Sequence, residues 1–161
     1  MSRALFVAAV VLSISAAASG QEVAASSLIS EARQLINAGK PQAAIEKLNA
    51  IGESGRIDVA HLLGIAYYHA DDYARAIEHL SAVVEQLPEG SMERKEAVQV
   101  LGLSRFVTGR FAEAVPLLEE TRRWASSNAE LGYVLGQAYV QTRQPDRARE
   151  VFAATFGVPG S

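Results

Sequence analysis

The sequence predicts an all-α fold built as a solenoid, with four helix–turn–helix units stacked in chain order. Three observations carry this expectation. Half of the 161 residues are apolar, with abundant alanine and few aromatics, and no stretch alternates β-branched and polar residues as a strand would. An alanine returns as Ala44, Ala76, Ala114 and Ala148, at intervals of 32, 38 and 34 residues. A Leu-Gly pair returns as Leu63-Gly64, Leu101-Gly102 and Leu135-Gly136, at intervals of 38 and 34.

The chain begins differently. Met1-Ser2-Arg3 carries one positive charge, Ala4 to Ala18 is apolar or small, and Ala18-Ser19-Gly20 offers small residues at a cleavage point. This is the layout of a secretory signal peptide over residues 1–20, with Gln21 the expected first mature residue. The apolar run from Leu5 to Ile14 is short for a bilayer span, so cleavage is expected rather than stable membrane insertion. The chain has no cysteine, which excludes a lipid-bearing thiol and any disulfide in an oxidising compartment. Packing alone must hold residues 21–161, one domain's worth of chain. Without Arg3 the balance is 14 basic to 18 acidic residues, with no basic stripe, so neither nucleic acid nor an anionic membrane is an expected partner.

The units follow at approximately 25–56, 57–94, 95–128 and 129–160. In the first, "SLISEARQLINAGKPQAAIEKLNAI" closes one helix at Gly39-Lys40 and opens another with Pro41 at a first helical position. In the second, "LLGIAYYHADDYARAIEHL" turns at Asp71-Asp72, and the widened interval after it falls at Pro88-Glu89-Gly90-Ser91-Met92. The third turns at Gly109-Arg110 and carries Pro116 six residues into its second helix, where a lost backbone hydrogen bond predicts a kink or a late start. In the fourth, Ser127-x-x-Glu130 reads as a capping box and Pro145 suits a first helical position. Small residues at Gly64, Gly102 and Gly136 mark close helix approaches, while Leu63, Leu80, Leu101, Leu118, Leu135 and Phe152 fill the space between helices.

The pattern resembles the tetratricopeptide repeat family, whose helical hairpin repeats every 34 residues. Its Leu-Gly-x-x-Tyr stands here as Leu63-Gly64-Ile65-Ala66-Tyr67 and Leu135-Gly136-Gln137-Ala138-Tyr139. Its turn motif stands as Gly109-Arg110-Phe111-Ala112-Glu113-Ala114, and nearly as Asp71-Asp72-Tyr73-Ala74-Arg75-Ala76, with Pro88 at the closing proline. The early Trp is missing from every unit, Arg105 replaces the Tyr, and Ala32 stands for the Gly of the first repeat. The resemblance covers nearly all of residues 25–160 and implies a right-handed superhelix whose concave side is lined by the first helix of each pair.

The histidines and aspartates of residues 69–79 invite a metal or acid–base reading. The repeat register assigns Asp71 and Asp72 to a turn, and puts His69 and His79 on antiparallel helices facing different surfaces, so converging ligands are not expected. No phosphate loop, cysteine nucleophile or serine elbow occurs either. No catalytic residue, cofactor or metal is therefore expected.

A protein or peptide partner is expected instead. The resemblance carries the groove onto Ser26, Ile29, Arg33 and Ile36; Asp58, His61, Ile65 and Tyr68; Glu96, Gln99, Leu103 and Phe106; and Glu130, Tyr133, Gln137 and Val140. The family's Lys/Asn clamp for a terminal carboxylate is absent. What remains is an apolar floor of Ile65, Tyr68, Leu103, Phe106 and Val140 with polar rims at His61, Gln99 and Gln137, suited to an amphipathic helix or an extended peptide. Packing of these side chains between neighbouring first helices is the alternative. His61 reads as a solvated rim residue, and Trp124 as packing on the fourth repeat. Val151, Phe152 or Phe156 is expected to leave an apolar patch, which keeps self-association through the C-terminal repeat open, as does partial self-capping by Val158-Pro159.

Overall fold

Four repetitions of one backbone turn organise the protein. The computed structural model describes residues 22–52 and 55–157; the proposed signal peptide and the Val158-Pro159 tail lie outside them. Among the described residues the helices are 22–37 (α1), Pro41–Ile51 (α2), Ile57–His69 (α3), Tyr73–Val83 (α4), Met92–Val107 (α5), Phe111–Trp124 (α6), Ala129–Gln141 (α7) and Pro145–Phe156 (α8). A single 3₁₀ turn, Val84–Gln86, follows α4. No strand occurs among these residues.

Each odd-numbered helix ends the same way. The second residue past it has positive φ: Gly39 (68°), Asp71 (60°), Gly109 (76°) and Arg143 (58°). The next amide then reaches back over the turn, as Lys40 to Leu35, Asp72 to Tyr67, Arg110 to Arg105 and Gln144 to Tyr139, at 2.8–2.9 Å. This left-handed closure satisfies carbonyls the helix end would otherwise orphan, and it reverses the chain in two residues. Glycine meets the requirement without strain in two units, whereas Asp71 and Arg143 bear a Cβ in the same conformation.

The following helices start on local signals. Pro41 and Pro145 occupy first positions. Asp72, Ser91 and Asn128 cap α4, α5 and α7 by accepting the amides of Arg75, Arg94 and Leu131. The cap of α7 is thus Asn128 and not Ser127: its side-chain carbonyl oxygen accepts the third helical N–H, that of Leu131, at 3.0 Å. α6 begins at Phe111 and runs on through Pro116, so the late start does not occur. The proline sits exposed, and the Ala112 carbonyl it leaves without an N–H belongs to an exposed residue rather than the core.

Packing follows from the small residues. A Cβ built on Gly64 would lie 2.5 Å from Leu80 Cγ, and one on Gly136 would lie 2.3 Å from the Phe152 ring. Gly102 is looser, with Leu117 Cβ at 3.1 Å. The recurring Ala32, Ala44, Ala76 and Ala114 are fully buried, and Ala148 nearly so. From α2 onward each helix packs on its neighbour in sequence; in addition α3 touches α5 and α5 touches α7, so the odd helices form a closer inner layer and the even helices an outer one. That difference curves the stack into a right-handed all-α solenoid. Its interior falls into two clusters. One runs from Ala32 to Leu101, and the other joins Ala114, Val115 and Leu118 to Leu131, Leu135, Ala138, Tyr139 and Ala148.

Candidate functional site

The odd-helix layer holds a cleft of about 530 Å³. α1 contributes Arg33, α3 contributes Tyr68 and His69, and α5 contributes a whole face: Met92, Glu93, Lys95, Glu96, Gln99, Val100 and Leu103. Trp124, from the end of α6, closes one side. These α5 positions recur every three or four residues, which puts them on one stripe of the helix.

Charged groups frame the cleft in defined pairs. Arg33 Nη1 lies 3.4 Å from Glu96 Oε2, joining α1 to α5 across the inner layer. Lys95 Nζ lies 5.9 Å from the centre of the Trp124 ring, a cation–π distance. The Tyr68 ring meets Tyr73 edge-on at 5.8 Å and His69 at 5.4 Å, which fixes its orientation at the cleft floor. Burial raises the pKa of the Tyr68 hydroxyl, and the Glu130 and Asp71 carboxylates add to the effect, so it presents a neutral O–H.

The predicted groove residues divide into three groups. Tyr68, Gln99 and Leu103 lie together on the cleft. His61 and Ile65 do not reach it as accessible groups: each is only 2% exposed. They sit on the face of α3 that meets neighbouring helices, so Ile65 is core and His61 is no solvated rim residue. Its Nε2 lies 3.3 Å from Glu96 Oε2, an ion-pair distance without the alignment of a hydrogen bond. Burial lowers the His61 pKa, with the Glu96 carboxylate opposing and Arg33 reinforcing the shift, so the ring is neutral near pH 7. The remaining four residues lie elsewhere. Phe106 packs edge-on against Phe111 at 5.4 Å, Tyr133 approaches Phe152 at 6.2 Å, and Gln137 and Val140 lie further along α7.

Sequence reasoning missed Lys95, Val100, Met92 and Trp124. Trp124 ends α6 as expected, but it turns to Lys95 and stays 37% exposed instead of joining the cluster under α7. The signal for the α5 residues was available in their spacing; that for Trp124 was not, because a helix end can turn either way.

The histidine–aspartate stretch is structural. Asp71 supplies the left-handed turn residue and accepts the Tyr73 hydroxyl at 2.8 Å, while Asp72 caps α4. His79 stacks on Tyr67 at 5.2 Å, and His69 lies at the cleft. Among the described residues no three His, Cys, Asp or Glu side chains converge as metal ligands would. No helix among them is long and apolar enough to cross a membrane. At the far end Phe156 is 51% exposed beside half-buried Phe152 and Val151.

Two stretches match sequence models of the tetratricopeptide repeat, residues 29–91 and 108–156, together more than two thirds of the chain. No curated protein matches the sequence. Solved structures of MamA are similar in fold. One from strain AMB-1 aligns with a TM-score of 0.74 at 24% identity, over 86% of this chain and 74% of that one. A second AMB-1 crystal form gives 0.72 at 25% identity, over 81% and 75%. MamA from Desulfovibrio magneticus RS-1 gives 0.66 at 23%, over 81% and 72%.

Proposed function

The chain belongs to the tetratricopeptide repeat family, and on that premise we propose that it is an exported, non-catalytic protein-interaction module that receives a partner peptide or helix in its inner cleft. The observation that carries this reading is the cleft's composition. Tyr68, Leu103, Val100 and Trp124 offer an apolar floor, and Lys95, Gln99 and the Arg33–Glu96 pair stand beside it as hydrogen-bonding rims. An apolar floor with a polar rim is how such surfaces combine desolvation with orientation.

The test is capture of a partner from envelope extract. Tyr68→Ala combined with Leu103→Ala should abolish capture while leaving the thermal melt of the helices close to that of the parent protein. Export rests on residues 1–20, and N-terminal sequencing of the protein recovered from its compartment should begin at Gln21. Recovery of the chain inside the cytoplasm with residues 1–20 retained would overturn export without touching the cleft.

One observation favours a second reading. The Arg33–Glu96 bridge ties α1 to α5 across the inner layer, which suits a rigid spacer, a segment of a longer solenoid in an envelope assembly whose groove stays empty. Under that reading the double variant captures the same proteins as the parent.

A further inference from the structure

A second cleft, of about 420 Å³, opens on the outer layer where α6, α7 and α8 meet. Three arginines line it, Arg122, Arg123 and Arg147, against one carboxylate, Glu119. This local excess of positive charge occurs in a chain whose formal net charge is −3.

The three arginines are not equivalent. Glu119 is already engaged twice through the same oxygen: Arg147 Nη2 lies 2.9 Å away and the Tyr139 hydroxyl donates to it at 2.6 Å. Arg147 also lies over the Tyr139 ring, 4.6 Å from its centre. Arg122 is held differently. Its Nη1 donates to Thr155 Oγ1 at 3.2 Å, in a slot that exists only because residue 132 is glycine; a Cβ there would lie 2.7 Å from that nitrogen. Arg122 is thus half-buried, anchored to a neutral hydroxyl and left without a carboxylate among the described residues. Its neighbour Arg123 is exposed and likewise has no carboxylate partner among them. A guanidinium ordered without a counter-charge keeps a planar fork pre-set to take a carboxylate from outside.

We propose that this cleft is a docking surface, separate from the inner one, that takes an acidic stretch of a partner protein, its carboxylates seated on Arg122 and Arg123. Charge complementarity selects the occupant: an apolar helix would strand the arginines, and an acidic segment satisfies them. Glu119 sets the inner limit, since a second carboxylate beside it would be repelled.

Fluorescence anisotropy of a labelled hexaglutamate peptide tests the proposal on the purified protein. The parent protein should bind it, more weakly as salt rises. Arg122→Gln and Arg123→Gln should each weaken binding about tenfold. Arg149→Gln, whose side chain pairs with Asp146 at 3.3 Å outside the cleft, should leave binding unchanged. Because Arg123 is exposed, its variant keeps the test valid even if Arg122→Gln loosens the Thr155 contact. Equal binding by parent and Arg123→Gln overturns the proposal, as does equal weakening by Arg149→Gln. Displacement of the peptide by an equal concentration of inorganic phosphate assigns the cleft to a phosphate group instead. A sedimentation mass of two copies that falls to one in Arg123→Gln, without peptide, assigns it to a second copy; either result overturns the acidic-segment reading.

Discussion

The Arg75 guanidinium lies 4.7 Å from the centre of the Tyr67 ring, eight residues before it, and so clamps α3 to α4. The fourth repeat has the same clamp at the same separation, Arg147 over Tyr139 at 4.6 Å. In the third repeat the two positions hold Arg105 and Glu113, whose Nε and Oε2 lie 3.6 Å apart. One hairpin therefore joins its helices by an ion pair where two others use a cation over an aromatic face. Arg105 with its partner is exchangeable as a unit: Arg105→Tyr or Glu113→Arg alone should destabilise the protein, and the two together should restore most of the loss. A double-mutant cycle by chemical denaturation should give a coupling of about 0.5–1 kcal/mol.

Glycine-to-alanine changes at the Leu-Gly positions should rank by the space each Cβ finds. Gly64→Ala meets Leu80, which is fully buried and cannot move aside, and should cost about 2–3 kcal/mol. Gly136→Ala meets Phe152, which is only half-buried and can swing outward, so its cost should be smaller. Gly102→Ala needs a shift of a few tenths of an ångström and gains up to about 1 kcal/mol of helix propensity, so it should be near neutral. Denaturant midpoints of the three variants check the order.

The turn residues allow a gain. Arg143 holds φ of 58° with a side chain attached. Arg143→Gly should stabilise the protein by about 0.5–1 kcal/mol, the strain relieved less the added freedom of the unfolded chain. Asp71→Gly should gain less, because it also removes the hydrogen bond from Tyr73. Thermal unfolding of the single variants measures both.

His61 gives stability a dependence on pH above the carboxylate range. Its folded-state pKa lies below the ordinary 6.5 because burial disfavours the charged ring, with Arg33 on α1 acting the same way and Glu96 and Glu93 on α5 against it. Below pH 6.5 the unfolded chain binds a proton that the folded chain refuses, so this contribution is complete above that pH and is lost as pH falls towards the folded value. Further down, Glu31, lowered by Lys47, and Asp58, lowered by Arg56, lose theirs as they protonate. Unfolding free energy measured from pH 7.5 to 5 should decline in the parent and decline less in His61→Leu.

Periodicity made the fold readable. Leucine, glycine and alanine recur because each hairpin must cover the next, and the same register placed Asp71-Asp72 beside Gly39-Lys40, Gly109-Arg110 and Arg143-Gln144, which all close their helices alike. The cleft was only partly readable. Tyr68, Gln99 and Leu103 share it, yet Ile65 and His61, one and two turns before Tyr68 on α3, face inward. A rotation of a few tens of degrees about a helix decides between groove and core, and that angle is set by the packing of three helices together. Ser127 and Asn128 show the same limit at a helix start: both can cap, and only the entering chain direction selects Asn128.

The two interior clusters are divided at the α5–α6 hairpin, where partly buried Leu117 of α6 packs against the first and partly buried Leu103 and Phe106 of α5 pack against the second. Such a seam divides the cooperative unit. Under mild denaturant α6, α7 and α8 should open as a block while α3 and α4 keep their amide protons, so the arginine-lined surface would be forfeited first and the α3–α5 side of the inner recess would outlast it.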